Sequence, residues 1–416
     1  MLPFLPVPMD VGQQGYVQIR AEERVRTGND VSSEETEINP QLRYDAIWDG
    51  GQSHFVALYQ PRLIFTNTFS SPADVEDPNK KPFSHLHNVG VGLELIRPRW
   101  RLSAYQFAAY GPVTTTALLV QAPWTGEGPP PDPNPIIPST VAAQFTLLFL
   151  QSMVFVPIKI SPRVSITPGV VYNAFGGADN NSRVTMAYTS GPGATLALEV
   201  AATQNDRFTT TIGAGFVGTS FGDNRNGGTI YRAEASQAYK HWFSRGLSSE
   251  LSVGGTFAGD QISGSAIYGT GSAGLYFDDY GAPKYAPGAP QFRAEQGHGN
   301  RLQLAIIAKA MPWIDLFSGN LEERAVGVLA MNYTVDRTLL RVQGSAAKVF
   351  NTPNTVAKYS IVQAEGGLRY RFSPTFSADG GVRFGAQSID NAIRYDKTTE
   401  VMVFAGLLWA PLPARF

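Results

Sequence analysis

Arginine placement carries the chemistry of this chain. Arg20, Arg24, Arg43, Arg62, Arg101, Arg207, Arg232, Arg301, Arg341, Arg369, Arg371 and Arg383 fall on the polar parity of alternating segments. Glu22, Asp45, Glu94, Glu199, Glu234, Glu250, Glu365 and Asp379 are their acidic counterparts. A strand sends successive side chains to opposite faces, so residues two apart share a face. Guanidinium groups gathered on one face form a wall that favours anionic or sugar-like solutes, or they pair with the acids and stiffen that wall. Both readings stay open, and both give a polar surface. Its candidate lining is Arg20, Arg24, Arg43, Arg62, Arg341, Arg369, Arg371, Arg383, Glu365 and Asp379.

Other residue types offer less. The chain has 5 histidines, and His85-Leu-His87 sets two of them on one strand face, as a metal pair needs. No carboxylate lies near in sequence, so a solvated loop edge is the expected state and no metal or cofactor site is assigned. His241 with Ser244 or Ser248 is the nearest approach to a nucleophile and base, and no motif supports it. The glycine runs Gly213–Gly218 and Gly254–Gly274 do not follow the G-x-x-x-x-G-K pattern of a phosphate loop. Close backbone packing and bulges in a sheet explain them. The chain is therefore expected not to be an enzyme.

The elements that must position the arginines are strands. In Tyr359–Phe372 one parity reads Tyr359, Ile361, Gln363, Glu365, Gly367, Arg369, Arg371, and the other Ser360, Val362, Ala364, Gly366, Leu368, Tyr370, Phe372. The same split recurs from Tyr16 onward. Tight turns are expected at Asp49–Ser53, Arg97–Arg99, Ser161–Arg163, Ser244–Gly246, Val335–Thr338 and Ser373–Thr375. Longer polar connections are expected at Thr27–Pro40, Ser70–His85, Ala122–Thr140, Thr219–Gly228, Tyr280–Asn300 and Ser388–Thr398. Seven prolines lie between Pro123 and Pro138, which excludes that stretch from a sheet interior. A short loop helix fits Pro312–Arg324 best. The alternation of short and long connections fails by one element between Ala174 and Asn300. A direct count gives about nineteen strands, and the even-number rule of single-chain barrels brings it to 18, with 16 or 20 as neighbours.

Composition limits the alternatives. Of 416 residues only 16% are charged, with 33 basic against 34 acidic, so no basic block points to nucleic acid. An ordinary soluble chain carries about 25% charged residues. The deficit means that much of the surface does not face bulk water. There is no cysteine, which excludes disulfides and thiolate metal sites. No run of about 18 apolar residues exists. The nearest, Val141–Ile160, is broken by Gln144, Gln151, Ser152 and Pro157. Met1–Asp10 shows no secretory signal, which is taken as already removed.

These features give an all-β fold, a closed antiparallel transmembrane β-barrel with short periplasmic turns and longer extracellular loops. Residues 1–15 read as an extended segment and 16–416 as one barrel domain. Alternating strands, turns such as Phe372-Ser-Pro-Thr375 and the terminal Phe416 resemble the bacterial outer-membrane β-barrel superfamily, porin-like in type. The resemblance implies a bacterial outer-membrane location and contact with outer-membrane lipid and lipopolysaccharide. It also implies insertion by the barrel-assembly machinery, with Phe416 as the assembly signal. Pro411 and Pro413 depart from that pattern by interrupting the last strand. Trp48, Tyr59, Trp100, Tyr370, Phe372 and Trp409 read as interfacial aromatics. A channel for hydrophilic solutes is the leading function, with Gly126–Pro138 and Tyr280–Asn300 as constriction candidates. A conduit serving a periplasmic partner, for example in polysaccharide export or as a sheath for a redox protein, is one alternative. A plugged structural or adhesion barrel is the other.

Overall fold

The computed structural model describes residues 12–28, 32–70, 83–114, 144–222, 227–260, 264–279, 300–314, 321–351, 358–390, 395–411 and 414–415. Eighteen strands form a closed antiparallel barrel. In chain order they are β1 Gly12–Gly28, β2 Ser32–Trp48, β3 Ser53–Ser70, β4 Phe83–Ile96, β5 Arg101–Thr114 and β6 Gln144–Phe155. Next come β7 Val164–Gly177, β8 Tyr188–Ala201, β9 Asp206–Ser220, β10 Thr229–Trp242, β11 Leu247–Asp260 and β12 Gly264–Asp278. The last six are β13 Arg301–Ile314, β14 Leu321–Val335, β15 Thr338–Asn351, β16 Lys358–Ser373, β17 Phe376–Asp390 and β18 Tyr395–Trp409. Two short pieces extend existing strands. Ile158–Ser161 continues β6 along β7, and Ala414–Arg415 continues β18 along β1. Each strand pairs with the next, and β18 closes on β1 from Ile19↔Trp409 to Gly28↔Glu400.

Closure gives each strand a neighbour on both sides, so most backbone donors of the wall find partners within the sheet. The apolar parity faces out: Val17, Leu42, Phe65, Val89, Ile212, Leu251, Ile306, Leu329, Val362, Val403 and Leu407 are all exposed large hydrophobics. The opposite parity buries Glu22, Arg24, Glu37, Asp45, Glu94, Arg341 and Asp379. A soluble protein has the reverse arrangement. This wall suits hydrocarbon outside and water within, the arrangement of an outer-membrane barrel.

One rim carries the tight turns. Asp49–Gly51 forms a single 3-10 turn in which Asp49 (φ 56°) and Gly50 (φ 62°) take the left-handed conformation. Asp336, at φ 49°, does the same between β14 and β15. Gly and Asp tolerate that region better than most residues. The chain also turns tightly at Ala202–Asn205, where Ala202 N–H donates to the Asp206 carbonyl. The connection after β12 leaves from this same rim: Asp278 N–H donates to the Gly246 carbonyl, and Asp279 N–H to the Leu302 carbonyl. Tyr280–Asn300 thus joins the tight-turn end, which accounts for the broken alternation of short and long connections.

Several expectations need correcting. Strand β1 begins at Gly12, ahead of the Tyr16 that alternation picks. Thr27–Pro40 is mostly strand, because β2 starts at Ser32. Pro312–Arg324 holds no helix over its described part: Pro312 pairs with Glu323 and Trp313 with Glu322 across β13 and β14. The helix of the described residues is α1, Asn180–Thr185, capped by Asp179. Pro411 lies outside any strand, and pairing is seen again at Gly15↔Ala414. Gly126–Pro138, Phe416 and residues 280–299 of the other constriction candidate lie outside the described residues.

Candidate functional site

The lumen wall is the candidate site, and register decides which side chains reach it. Directly opposed residues share a face. Arg369↔Asp379, Glu365↔Arg383, Arg24↔Glu35 and Glu22↔Glu37 are such pairs, all on the buried polar side. The proposed lining Arg20, Arg24, Arg43, Arg62, Arg341, Arg369, Arg371, Arg383, Glu365 and Asp379 therefore shares one face of the sheet, the inner one.

Most of these arginines are paired. Arg24 holds Glu37 at 2.6 Å, and Arg62 holds Glu37 at 2.7 Å. Arg43 bonds Asp45 at 2.7 Å, and His54 reaches the same carboxylate at 3.0 Å. Arg101 and the Tyr105 hydroxyl both donate to Glu94, and Arg383 donates to Glu365. Arg207 holds Glu199 at 3.0 Å. Ion pairing thus accounts for much of the arginine content, as one of the two sequence readings allowed.

One cluster differs. Asp379, 6% exposed, receives Arg20 at 2.9 Å, Arg341 at 3.6 Å and Arg369 at 3.7 Å. Glu22 also takes Arg20. Three guanidinium groups therefore meet two carboxylates. Each of the three keeps a buried Nε without a protein hydrogen-bond partner. A buried donor left open costs free energy unless water or a solute reaches it. The cluster lies near the tight-turn rim, since Arg20 pairs with Leu408 and Arg341 lies just past the β15 start at Thr338.

The inner face of β8 to β12 is different in kind. Opposed inward positions there include Thr195↔Gly213, Ala197↔Thr211, Ser236↔Gly254 and Ser252↔Ser272. Among the described residues, short side chains dominate the middle of this inner face. Arg232, Glu234 and the buried Tyr268 are long inward residues toward the other rim, and Lys240 lies 3.5 Å from Glu250 nearer the tight turns, beside Trp242 and Tyr276.

A third inner region is apolar, and the residue pattern gave no hint of it. Ile64, Leu86, Ala109, Val113, Phe145 and Leu147 pack together on the inner face of β3 to β6, with Met186 against them. Met186 comes from the connection that holds α1, so this connection folds inward. Asp179 accepts from Ser182 N–H at 2.8 Å, and Ser182 Oγ accepts from Thr146 N–H at 2.8 Å. Arg183 donates to the carbonyls of Gly177 and Ala178 and lies over the Tyr188 ring. Phe107, Phe149 and Phe175 continue the patch as a ladder, with centroids 5.5 and 6.0 Å apart. The sequence signal for α1 was the Asp179-x-x-Ser182 cap.

The remaining candidates separate. Trp48, Trp100, Tyr370, Phe372 and Trp409 are exposed near the tight turns, as a girdle requires. Tyr59 faces out as well, but it lies well inside β3 and bonds His87 Nδ1 at 2.9 Å. His85 and His87 are on the outer face of β4 and not on a loop. His241 Nδ1 is 2.8 Å from Asp206, with Tyr239 donating to the same carboxylate at 2.6 Å. Ser244 accepts from two turn amides and Ser248 is buried, so neither joins His241.

No family model and no curated protein matches this chain. Solved structures that align include Pseudomonas aeruginosa OccK11 (OpdR), at 10% identity and TM-score 0.45 over 98% of this chain and 100% of that one. OccK2 (OpdF) of the same organism aligns at 10% identity and TM-score 0.46, over 96% and 98%. The P. aeruginosa outer membrane protein opdK aligns at 12% identity and TM-score 0.41, over 95% and 99%. Superposition this loose carries no residue or solute across. The barrel's own wall supports the outer-membrane assignment.

Proposed function

We propose that the chain is an outer-membrane channel that passes small hydrophilic solutes and favours anions. A barrel of about 18 strands leaves an aqueous interior unless it is plugged. One observation carries the anion preference: Arg20, Arg341 and Arg369 converge on Asp379 with donors to spare. Fixed positive charge in a narrow, low-dielectric passage raises the local anion concentration. The inward α1 connection narrows the mouth on one side and leaves the β8 to β12 half as the path. No bond is made or broken, so selectivity comes from width and charge alone. Contact with lipopolysaccharide and insertion by the assembly machinery go with this reading.

Planar-bilayer recording tests it. In a salt gradient the wild type should show an anion-leaning reversal potential, and Arg369→Glu with Arg371→Glu should move it toward cations. An unchanged reversal potential would remove the anion claim. Absence of current after verified insertion would favour a plugged barrel instead. Co-purification of a periplasmic protein on a non-conducting barrel would favour the conduit.

A further inference from the structure

The inner face carries an aromatic strip that ion selection does not use. Phe107 of β5, Phe149 of β6 and Phe175 of β7 face inward and stay half-buried, while Phe145 and Leu147 beside them are covered. The three rings meet edge to face, at 61° and 77°. Phe155 extends the strip toward the tight turns, with its ring over Gly169. Residues 105–109, 149–155 and 171–175 contain no charge on either parity. Phenyl rings left partly uncovered in a watery lumen cost free energy, and a solute that covers them recovers it. Small ions cannot do so.

An amide pair stands among the rings. Gln151 Nε2 donates to Asn173 Oδ1 at 3.0 Å. Gln151 lies directly opposite both Phe107 and Asn173, and Phe149 lies opposite Phe175. Each amide is two residues from a ring on its own strand, about 6.7 Å along it. The pair's own bond uses one donor and one acceptor. Among the described residues it leaves Asn173 Nδ2 and Gln151 Oε1 open to a solute, and Asn173 is exposed. We propose that this strip binds planar nitrogen heterocycles of the nucleobase class. Such a ring stacks by its faces on aromatic side chains, while its edge offers the donor and acceptor that an Asn or Gln amide pairs with. A pyranose carries a hydroxyl at nearly every ring carbon, more than one amide pair can satisfy. An acyclic anion finds no cation here. The site rests on the open lumen of the proposed channel and goes beyond its anion preference.

Single-channel recording with adenosine in the bath tests it. The expected result is a saturable interruption of the current, with ribose and glucose inactive over the same concentrations. Phe149→Leu with Phe175→Leu keeps apolar contact and removes the stacking faces, so the half-blocking concentration should rise about tenfold. Phe208→Leu, exposed on the outer face, should leave it unchanged. Asn173→Leu should abolish the preference for adenosine over purine riboside, which lacks the exocyclic amine. Reversal potential is read on the same channels, so the anion preference and the strip can fail separately. A conducting channel without adenosine block would overturn the site. So would equal block by glucose, or undiminished block in the double-leucine variant. If no current flows, the channel reading fails and calorimetry of adenosine with the detergent-solubilised barrel decides. Binding that the double variant loses supports the site, and absence of binding overturns it.

Discussion

Two halves of the lumen solve the same problem differently. The charged wall, β1 to β5 with β14 to β18, fills itself with long side chains that pair across strands. The wall from β8 to β12 uses Gly, Ala, Ser and Thr over much of its middle and sets its longer inward side chains, such as Arg207, Glu234, Lys240 and Tyr268, toward the two rims. A charged wall is rigid because each guanidinium is held by a carboxylate. A small-residue wall is polar without charge, and its hydroxyls can bond each other, as Ser252 and Ser272 do at 2.7 Å. On the proposed channel reading, solutes would pass beside the second wall in a field set by the first. Width and charge are thereby assigned to separate parts of the barrel, and they should respond to mutation separately.

Asp379→Ala attacks this division hardest. It leaves Arg20, Arg341 and Arg369 with Glu22, which Arg20 already holds, and Glu365, which Arg383 already holds, as nearby acids. Losing one partner of a fully buried charge pair costs about 3–5 kcal/mol, and less here because Arg20 and Arg369 are partly exposed. The expected outcome is a lower unfolding temperature in detergent together with a stronger anion preference. A stability loss without a change in reversal potential would mean that the cluster does not face the conducting path.

Met186→Ala is next. Met186 is fully buried against Phe145 and Leu147, and truncating a buried Met costs about 2–5 kcal/mol. Here the loss falls on the α1 connection, so it should appear as larger conductance and faster proteolysis near residues 178–187, with reversal potential unchanged. Unchanged conductance would show that the connection does not narrow the mouth.

Thr211→Trp sharpens the comparison from the other side. Thr211 faces Ala197 and Ser236 on the small-residue wall. An indole there should lower single-channel conductance while stability and selectivity stay close to wild type. The same substitution at Ile361, fully buried on the charged wall, should destabilise the barrel instead, by about 1–3 kcal/mol through overpacking. Equal effects at both positions, read by conductance and thermal unfolding, would erase the distinction between the walls.

The arginine faces were legible because parity is local: a strand that alternates states its own two sides. What was not legible depends on neighbours. Ser32–Trp48 looked like loop over its first half because Glu34, Glu35 and Glu37 crowd it. Glu35 and Glu37 become strand residues only once Arg24 of β1 and Arg62 of β3 stand beside them. His85 and His87 were assigned to a loop edge because no local signal starts β4 at Phe83. Pairing with Phe65 sets that start. The apolar inner patch was hidden for a similar reason. Its residues come from β3 to β6 and from a connection, and no single segment carries enough of them to stand out. The alternation of each strand could be read in sequence, whereas which side chains meet across strands required the closed sheet.

The smallest expected effect tests the seam between the two walls, where α1 sits. Asp179 caps that helix, and Arg183 extends from it to Ser220 Oγ at 3.4 Å on β9. Hydrogen bonds from the Ser182 amide hold the Asp179 carboxyl below its ordinary range. A carboxylate with a depressed folded value stabilises the cap above its unfolded value, and that contribution is lost as pH falls through the folded value. Asp179→Ala should cost about 1 kcal/mol of local stability at neutral pH. Acidification of the wild type should reproduce the loss, and the variant should lack that pH dependence. Hydrogen exchange of the Ser182 and Arg183 amides reads both. If the variant exchanges as slowly as the wild type at neutral pH, the carboxylate does not hold α1, and Arg183 with Met186 must anchor the seam without it.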